Sequence, residues 1–451
     1  MANFSASPEG GPPGPRGFPL IGSAREFSRD PLAFLRATGE RFGDISQFRL
    51  GRTRVFFLRH PDHIRDVLIS QRASFTISPL RAKIIPVVGN GLLTSRGDFH
   101  ARQRRLIQPV FRKSRIESYA SAMSDLSAES RDAWAPGKAV DVVAEMMRLT
   151  MLIAARALFA HDIGAEVERM SRAIDTALEY FTRLGSPLLR MELALPLPST
   201  LRLREAIAEL DRVIYGLIAR RRASGSTGED LLSRLMRATD DDTASPMDDK
   251  QLRDEILTLL LAGHETNANV LAWTLYLLSK HPEAERRLHD EATTVLAGRG
   301  AFGIGDADRL PFTRQVIQEG MRLYPPGWFV GRQALQDVVV GGHAIPRHAM
   351  VLMSQYVTHR DARFFEDPDR FKPERWENHL EDRLPRCAYF PFSAGDRHCM
   401  GEGFAWQEST LVLATLLARW RLELVPGQDI RPRPSVTLRP DGPIKMVVRS
   451  R

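Results

Sequence analysis

The sequence predicts a mainly α protein with a small β portion, and three observations support this fold class. Through most of its middle, the chain repeats apolar residues at the 3.6-residue spacing of an amphipathic helix. Runs rich in β-branched and aromatic residues are short, and they occur at Thr53–Leu58 and between Val338 and Met353. From the N-cap candidate Asp248 to Lys280 the chain runs 33 residues without a proline, which predicts one helix roughly 50 Å long.

Composition and charge are those of an ordinary globular protein. Apolar residues make up 43% and charged residues 26% of the 451 residues, values that exclude a disordered, collagen-like or coiled-coil chain. The net charge of +8 comes mostly from arginines that are interspersed with acidic residues, so we do not expect nucleic-acid binding. Two cysteines, Cys387 and Cys399, are too few for a disulfide framework and favour a reducing, cytoplasmic compartment.

The N-terminal segment, residues 1–22, is rich in glycine and proline. It is predicted to be a proline-rich lead-in to the first helix or, alternatively, a loose tail. No apolar run has the length of a signal peptide or reaches the 18 residues of a membrane span. Later breaks rich in Gly, Ser, Thr and Asp are too short to be domain linkers, so we expect residues 23–451 to form a single domain.

The middle of the long predicted helix carries a polar interruption, Gly263-His264-Glu265-Thr266-Asn267. Buried polar groups cost stability unless they find hydrogen-bond partners or take part in function. His264-Glu265 begins the zinc-protease pattern H-E-x-x-H, but Ala268 stands where the second histidine ligand would be. The sequence therefore disfavours a zinc site at this interruption.

The segment Pro391–Gly401 places one cysteine, Cys399, in a loop with glycines at 395 and 401, which permit tight turns. A helix is predicted directly after the loop, at Glu402–Trp420. Backbone N–H groups and the N-terminus of that helix would lower the pKa of the Cys399 thiol. The loop therefore predicts a thiolate that serves as a soft metal ligand.

This loop resembles the haem-binding loop of the cytochrome P-450 superfamily, because the pattern F-x-x-G-x-R-x-C-x-G is filled by Phe392, Gly395, Arg397, Cys399 and Gly401. Three further motifs are similar to the family's E-x-x-R pair, its P-E-R-[FW] meander and its A-G-x-[DE]-T oxygen-activation helix. They are, respectively, Glu319–Arg322, Phe371–Trp376 and Ala262–Thr266. Along the chain, all four motifs follow the family's order. The resemblance runs from Pro12 to about Val448. It implies the cytochrome P-450 fold, in which a long central helix lies over haem and the β-sheets are minor, with residues 23–451 as one catalytic domain.

The resemblance implies haem b, iron protoporphyrin IX, with the Cys399 thiolate as the metal ligand. It implies that Thr266 and Glu265 deliver protons during oxygen activation, and that Gly263, beside Ala262, lets the helix bend close to the haem plane. The structural alternative for Thr266 is a mid-helix hydroxyl that bonds the carbonyl four residues earlier. Two departures, Ser393 in place of the family's usual glycine and His264 inside the helix motif, remove no ligand.

The remaining site residues are also implied by the resemblance. The haem propionates need cationic or donor partners, and the family pattern assigns them to His100, Arg104, Arg332 and Arg397. Glu319 and Arg322, three residues apart on one helical face, are expected to form a buried charge network with Arg375. An exposed surface pair is the alternative.

The substrate pocket is expected to be apolar, lined by Val87, Val88, Trp328, Phe329 and Val436, although each could be a plain core residue. The implied function is a monooxygenase that inserts one oxygen atom of O₂ into a terpenoid, a fatty acid or a steroid-like molecule. The alternatives are a haem-thiolate isomerase or dehydratase and a non-catalytic haem-binding sensor.

The electrons are expected to come from NAD(P)H through a separate ferredoxin or flavodoxin and its reductase, because only 52 residues follow Cys399. A basic run, Arg102, Arg104, Arg105, Arg112, Lys113 and Arg115, suits an acidic partner. The protein is expected to be a monomer.

Overall fold

The computed structural model describes residues 11–159, 164–181, 195–225, 228, 230–239 and 246–451. The first ten residues of the predicted lead-in lie outside the described residues. Its remainder forms turns, with an isolated bridge between Phe18 and Gly22, and leads to the first helix, Ala24–Arg29. The chain divides into two compact units, Met1–Lys83 with Met321–Cys399 and Ile84–Gly320 with Met400–Arg451. Within the described ranges, none of the helices has the length and apolar character that crossing a membrane requires.

A five-stranded sheet organises the first unit. The spatial order of its strands is Ile45–Leu50, Thr53–Leu58, Met350–Met353, Val330–Ala334 and Phe75–Ile77. Thr53–Leu58 pairs in parallel with Met350–Met353, and the other neighbours pair antiparallel. The last four residues of Thr53–Leu58 and all of Met350–Met353 are buried, as expected for strands covered on both faces. A hairpin of Val338–Val340 and His343–Ile345 adds the remaining predicted strands.

Short helices complete the first unit. Pro31–Phe42 begins where Asp30 accepts a hydrogen bond from the Ala33 N–H at 3.0 Å, which satisfies one free amide of its first turn. The core of this unit joins sheet residues such as Phe56 and Val351 to Ile64 and Val67. Its other helical segments are Pro61–Arg65, the π-helical Asp66–Ser70, Arg72–Ser74, Pro79–Ala82, Gln355–Thr358, Pro373–Trp376, Leu380–Arg383 and Gly395–Arg397.

The second unit is mainly helical, as the sequence predicts. Apolar residues of its long helices, among them Leu158, Met170, Leu210 and Leu257, form one core. Among the described residues its helices are Ile85–Val88, Gly97–Ile107, Gln108–Phe111, Lys113–Ser118, Ala120–Asp132, Val142–Phe159, Gly164–Phe181, Pro198–Ala223, Leu231–Arg237, Asp249–Ser279, Pro282–Leu296, Asp306–Arg309 and Glu402–Leu417. The helix Pro311–Leu323 belongs to this unit as far as Gly320, and its last three residues belong to the first unit.

The helix Asp249–Ser279, called the central helix below, confirms the longest sequence prediction. Its N-cap is Asp248, whose carboxylate accepts from the Gln251 N–H at 2.7 Å. It packs along Val142–Phe159, where the Thr150 hydroxyl donates to the His264 carbonyl at 3.0 Å. Most of its residues are buried, so packing rather than helix propensity stabilises it.

Two small sheets close the second unit. Ala139–Asp141, Lys445–Ser450 and Trp420–Leu424 form a three-stranded antiparallel sheet, and Pro432–Pro434 pairs with Leu438–Pro440 in what is called the C-terminal hairpin below. The helix predicted to end at Trp420 ends instead at Leu417. Trp420 begins a strand because it pairs with Ser450 and its indole N–H donates to the Arg131 carbonyl at 2.7 Å. These tertiary contacts outweigh the local helical pattern.

Candidate active site

The loop that ends at Cys399 has a backbone shape that requires a glycine. Gly395 has a φ of +68°, and a Cβ at this position would lie 1.9 Å from the carbonyl oxygen of Leu68. The Cys399 N–H donates to the Phe392 carbonyl at 2.9 Å, which closes the loop. Gly401, in contrast, has a φ of −82° that any residue adopts, so the turn alone does not explain that glycine. The loop therefore fixes the position of the Cys399 backbone.

The two cysteines differ in their exposure to solvent. Cys399 is exposed, whereas Cys387 is buried in the core of the first unit. Burial raises the pKa of the Cys387 thiol to about 11, so this thiol stays protonated. The difference in exposure favours Cys399 over Cys387 as the thiolate ligand that the sequence predicts.

Three arginines of the first unit come together, because the charges of Arg81 and Arg397 both act on Arg332. Burial lowers the pKa of Arg332, as do the neighbouring charges of Arg81 and Arg397 to a smaller degree, and Asp396 opposes them slightly. Together these effects bring the pKa to about 9. Asp396 is itself paired with Arg72 at 2.7 Å. Such a cluster fits an anionic ligand that carries more than one carboxylate. The residues present therefore fit the propionates that the sequence assigned to Arg332 and Arg397.

Arg81 is a member of this cluster that the sequence analysis missed. It lies in the short helix Pro79–Ala82, which follows the strand Phe75–Ile77. Strand pairing sets Ile77 opposite Arg332, and this brings the helix near Arg332. No local pattern marks Arg81, because its neighbourhood depends on pairing across 255 positions of sequence.

The other two proposed propionate contacts lie in the second unit. His100 and Arg104 are one turn apart on the helix Gly97–Ile107, as predicted. His100 is buried and Arg104 is half-buried. The spacing of four residues places both side chains on one face of this helix.

One face of the central helix is open. Between Leu252 and Leu278, a stretch described without gaps, every residue is buried except Leu259, Ala262, Gly263 and Thr266. These positions follow the helical spacing of three and four residues, so they share one face. A Cβ at Gly263 would meet nothing within 4 Å. The predicted catalytic residues Ala262, Gly263 and Thr266 thus line open space together.

Thr266 makes the hydrogen bond that was considered as its structural alternative. Its hydroxyl donates to the Ala262 carbonyl at 2.5 Å. The side chain nevertheless remains partly exposed on the open face. A hydroxyl that satisfies its own donor within the helix still offers oxygen lone pairs as acceptors.

Glu265 faces away from that open strip. It is buried, and its Oε1 accepts from the Thr437 hydroxyl and from the Arg439 guanidinium, each at 2.6 Å. Asn269 and Trp273, on the same side of the helix, bond the Thr437 hydroxyl and the Leu438 carbonyl. The carboxylate is therefore ion-paired to the C-terminal hairpin, which the sequence analysis did not foresee.

His264, the departure from the family motif, is a core histidine. It is buried, and burial lowers the pKa of its imidazole to about 4. The ring is therefore neutral at physiological pH and carries no charge into the site.

The E-x-x-R pair is fully buried. Glu319 and Arg322 are each 0% exposed, so the alternative of a surface pair does not apply. Arg322 donates to the carbonyls of His359, Pro368 and Arg370 at 2.6 to 2.9 Å. Arg375 is half-buried and donates to the carbonyls of Glu366, Asp367 and Arg370. Both guanidinium groups therefore hold the segment 366–370 by its backbone.

The five predicted pocket residues fall into two groups. Val87, Val88 and Trp328 are buried, whereas Phe329 and Val436 are half-buried. Val87 and Val88 belong to the core of the second unit, and Val436 packs against that core. Trp328 and Phe329 contact each other with ring centroids 4.4 Å apart. Packing alone accounts for the two valines, so their contact with substrate stays a prediction.

Comparison with known proteins identifies the family. The profile described as "Cytochrome P450" matches residues 12–448. The chain belongs to the cytochrome P450 family. Cyclooctatin synthase of Streptomyces melanosporofaciens is 39% identical over 97% of this chain and 95% of that protein. Cyclooctat-9-en-7-ol 5-monooxygenase of the same organism is 38% identical over 92% of this chain and 90% of its own length.

Two further comparisons agree with this membership. Pentalenene oxygenase of Streptomyces avermitilis is 33% identical over 93% of this chain and 92% of its own length. The structure of a cyanobacterial P450, CYP120A1 with bound retinoic acid, superposes with a TM-score of 0.86 at 27% identity, over 98% of this chain and 99% of that one. The predicted fold is thus confirmed. The protein is a haem-thiolate monooxygenase that inserts oxygen into an apolar substrate and depends on a redox partner, as the P450 family does.

Proposed function

We propose that this P450 oxidises a terpenoid. The observation that carries the proposal is its identity of 38 to 39%, over nearly the full chain, to two proteins named for cyclooctatin chemistry. The open strip of the central helix supports it, because Leu259, Ala262 and Gly263 offer hydrocarbon surface and no charge. Fatty acids and steroid-like molecules rank after terpenoids.

In this proposal the Cys399 thiolate holds haem b. Haem bound through a thiolate supplies the activation of O₂. The chain fixes the Cys399 backbone through Gly395 and Phe392. Arg332, Arg397 and Arg81 would bind the propionates, a role that the resemblance also assigns to His100 and Arg104. Glu319, Arg322 and Arg375 keep the segments around them in place.

Thr266 and Glu265 have different parts in proton delivery. Thr266 holds a hydroxyl on the open face of the central helix. Glu265 is buried behind it, and its partner Arg439 is partly exposed, with 22% of its side chain accessible. This ion pair supports a link between a buried carboxylate and solvent.

The redox chain and setting of the protein complete the proposal. Electrons would pass from NAD(P)H through a reductase and a ferredoxin or flavodoxin, which would bind the arginine-rich run from Arg102 to Arg115. We place the protein in the cytoplasm, as a monomer, with residues 23–451 acting as one catalytic domain.

The test is a spectral titration of the purified protein. The reduced, carbon monoxide-treated protein should show the Soret band of thiolate-ligated haem. Cys399→Ser should lose that band, and the matched control Cys387→Ser should keep it. A persisting band in Cys399→Ser contradicts the ligand assignment.

Substrate class is tested in the same assay. Cyclic terpenes and terpene alcohols should shift the haem spectrum at lower concentration than fatty acids or steroids, and product should require NAD(P)H, reductase and O₂ together. Product without electrons would favour the isomerase alternative, and the absence of any turnover would favour a sensor.

A further inference from the structure

Two neighbouring carboxylates of the central helix hold the backbone of a distant loop. The loop, residues 89–92, follows the short helix Ile85–Val88. The Asn90 N–H donates to Asp254 Oδ2 at 2.9 Å, and the Leu92 N–H donates to Glu255 Oε2 at 2.9 Å. A hydrogen bond to a charged carboxylate, as at Asp254, is stronger than one between neutral groups.

The loop is shaped to accept these carboxylates. Gly89 has a φ of +68°, and a Cβ there would lie 2.0 Å from Asp254 Oδ1, so only glycine permits the approach. The Thr94 hydroxyl donates to the Gly89 carbonyl at 2.7 Å and fixes the turn from the other side. The contact therefore depends on the conformation of the loop as well as on the two acids.

Asp254 connects the loop to a third element. It is buried and accepts from Lys250 Nζ at 3.0 Å and from Arg253 Nη1 at 2.9 Å. Arg253, also buried, donates through Nε to Asp211 at 2.6 Å. Asp211 lies on the helix Pro198–Ala223. One charged network thus joins the loop, the central helix and that helix within the second unit.

Glu255 is a fully buried acid. It is 0% exposed, and among the described residues its second oxygen, Oε1, has no hydrogen-bond partner. Burial raises the pKa of its carboxyl to about 8, with a smaller contribution from the charge of Asp254 and against the Leu92 hydrogen bond. Burying such a group costs stability, and the hydrogen bond from the Leu92 N–H offsets part of that cost.

We infer that Asp254 and Glu255 are positioning residues that fix the loop 89–92, and through it Val87 and Val88, so that the pocket selects its ligands by size. This inference rests on the proposed function and on the sequence prediction that the two valines line the substrate pocket. It goes beyond that function because the acids themselves touch no substrate. They act through the loop backbone.

The first experiment measures the contact directly in the holoenzyme. Hydrogen–deuterium exchange of peptides that cover residues 85–95 should quicken by about tenfold in Asp254→Ala and in Glu255→Ala. Asp249→Ala is the matched control, since this acid is on the same helix and is paired at 2.5 Å with Arg222, away from the loop. Glu255→Gln retains an acceptor for the Leu92 N–H and should exchange like the native protein. It also serves where Glu255→Ala fails to fold. Unchanged exchange in both alanine variants overturns the inference.

The second experiment measures selection by size. Two iron-binding probes are compared by stopped-flow spectroscopy, imidazole and the bulkier 4-phenylimidazole. Release of the loop should raise the dissociation rate of 4-phenylimidazole by about fivefold and that of imidazole by less than about twofold. Equal effects on the two probes overturn the positioning role even where exchange quickens. Loss of the thiolate Soret band in Cys399→Ser is independent of both outcomes, so failure of the proposed function is distinguished from failure of this inference.

Discussion

At the scale of single residues, the site depends on a few positions where one side chain or its absence decides the geometry. Gly395 and Gly89 both bring backbone within van der Waals distance of another chain segment, at conformations that L residues rarely adopt. Cys399 and Cys387 have the same chemistry but opposite exposure. Residue type therefore identifies candidate site residues, and their exposure and contacts decide which role each can have.

Gly395→Ala should destabilise the protein and weaken haem retention. The new Cβ would meet the Leu68 carbonyl and would also strain a φ of +68°, for a combined loss of about 2 to 4 kcal/mol in the free energy of unfolding. Gly427→Ala is the control, because its φ is +81° but its Cβ would meet nothing within 4 Å. Urea unfolding, monitored by the Soret band, measures the free energy of unfolding and the retention of haem in each variant. Equal losses in the two variants would mean that the close approach to Leu68 is unimportant.

Thr437→Val should lower the amount of product formed per NAD(P)H consumed. The hydroxyl that donates to Glu265 at 2.6 Å is lost, and the carboxylate keeps its hydrogen bond from the Arg439 guanidinium of that hairpin. We expect a fall in coupling of about two- to fivefold, with an intact carbon monoxide spectrum. Thr293→Val is the control, since that hydroxyl donates to carbonyls of its own helix, at His289 and Asp290. Unchanged coupling in Thr437→Val would separate the hairpin from proton delivery.

At the scale of elements, the central helix connects most of the second unit. It meets the loop 89–92 near its start, the C-terminal hairpin at Glu265, Asn269 and Trp273, and the helix Glu402–Leu417 where the Asn267 amide donates to Glu408. Glu408 is 0% exposed, and burial raises the pKa of its carboxyl to about 8. A neutral acid thus joins two buried helices.

This acid should make the folded state less stable as the pH rises. In the unfolded chain Glu408 loses its proton near its ordinary pKa of 4.5, whereas in the folded chain it keeps the proton up to about pH 8. The folded state binds more protons in that window, so its contribution to the free energy of unfolding is fully present below it and is lost as pH rises through it. Glu408→Gln keeps the acceptor for Asn267 and removes the titration.

Thermal unfolding at about pH 6 and about pH 9 tests the expectation. The fall in melting temperature between the two should be smaller in Glu408→Gln than in the native protein. Glu283→Gln, a change at an exposed first-turn acid, should leave the fall unaltered. The same fall in all three proteins would show that Glu408 does not titrate in this range.

Local patterns predicted the elements well and their contacts poorly. The central helix, the loop of Cys399 and the strand Thr53–Leu58 each carry their own periodicity or glycine spacing, so the local sequence was sufficient to predict these three elements. The bond between Glu265 and Thr437 joins residues 172 positions apart, and nothing near either residue marks the other. The cluster around Arg332 was found in part, since only Arg81 lacked a motif.

At the scale of the whole molecule, the exposed basic run of the second unit is the surface that we propose for docking of the redox partner. Arg105, Arg112, Lys113 and Arg115 are exposed, and Lys113 Nζ lies 3.6 Å from Asp308 and 3.8 Å from Glu117. Their combined charge would attract an acidic redox protein over a distance set by the ionic strength.

The rate of reduction by an acidic ferredoxin should therefore fall steeply with added salt. Arg112→Glu should reduce the low-salt rate by about tenfold and flatten the salt dependence. Arg347→Glu makes the same change in net charge at an exposed position outside the run. A rate that is independent of ionic strength, or equal loss in both variants, would remove this surface as the docking site.

The strip of residues on the open face of the central helix, Leu259, Ala262, Gly263 and Thr266, has a practical consequence for redesign of the enzyme. On that strip Ala262 is exposed, and Leu259 is half-buried at the edge of the core of the second unit. Replacing these two side chains should therefore change accessible volume with less loss of core packing than replacing the buried residues around them. A saturation library restricted to these two codons should yield altered regioselectivity at high rates of soluble expression. Libraries at the flanking positions should mostly yield misfolded clones.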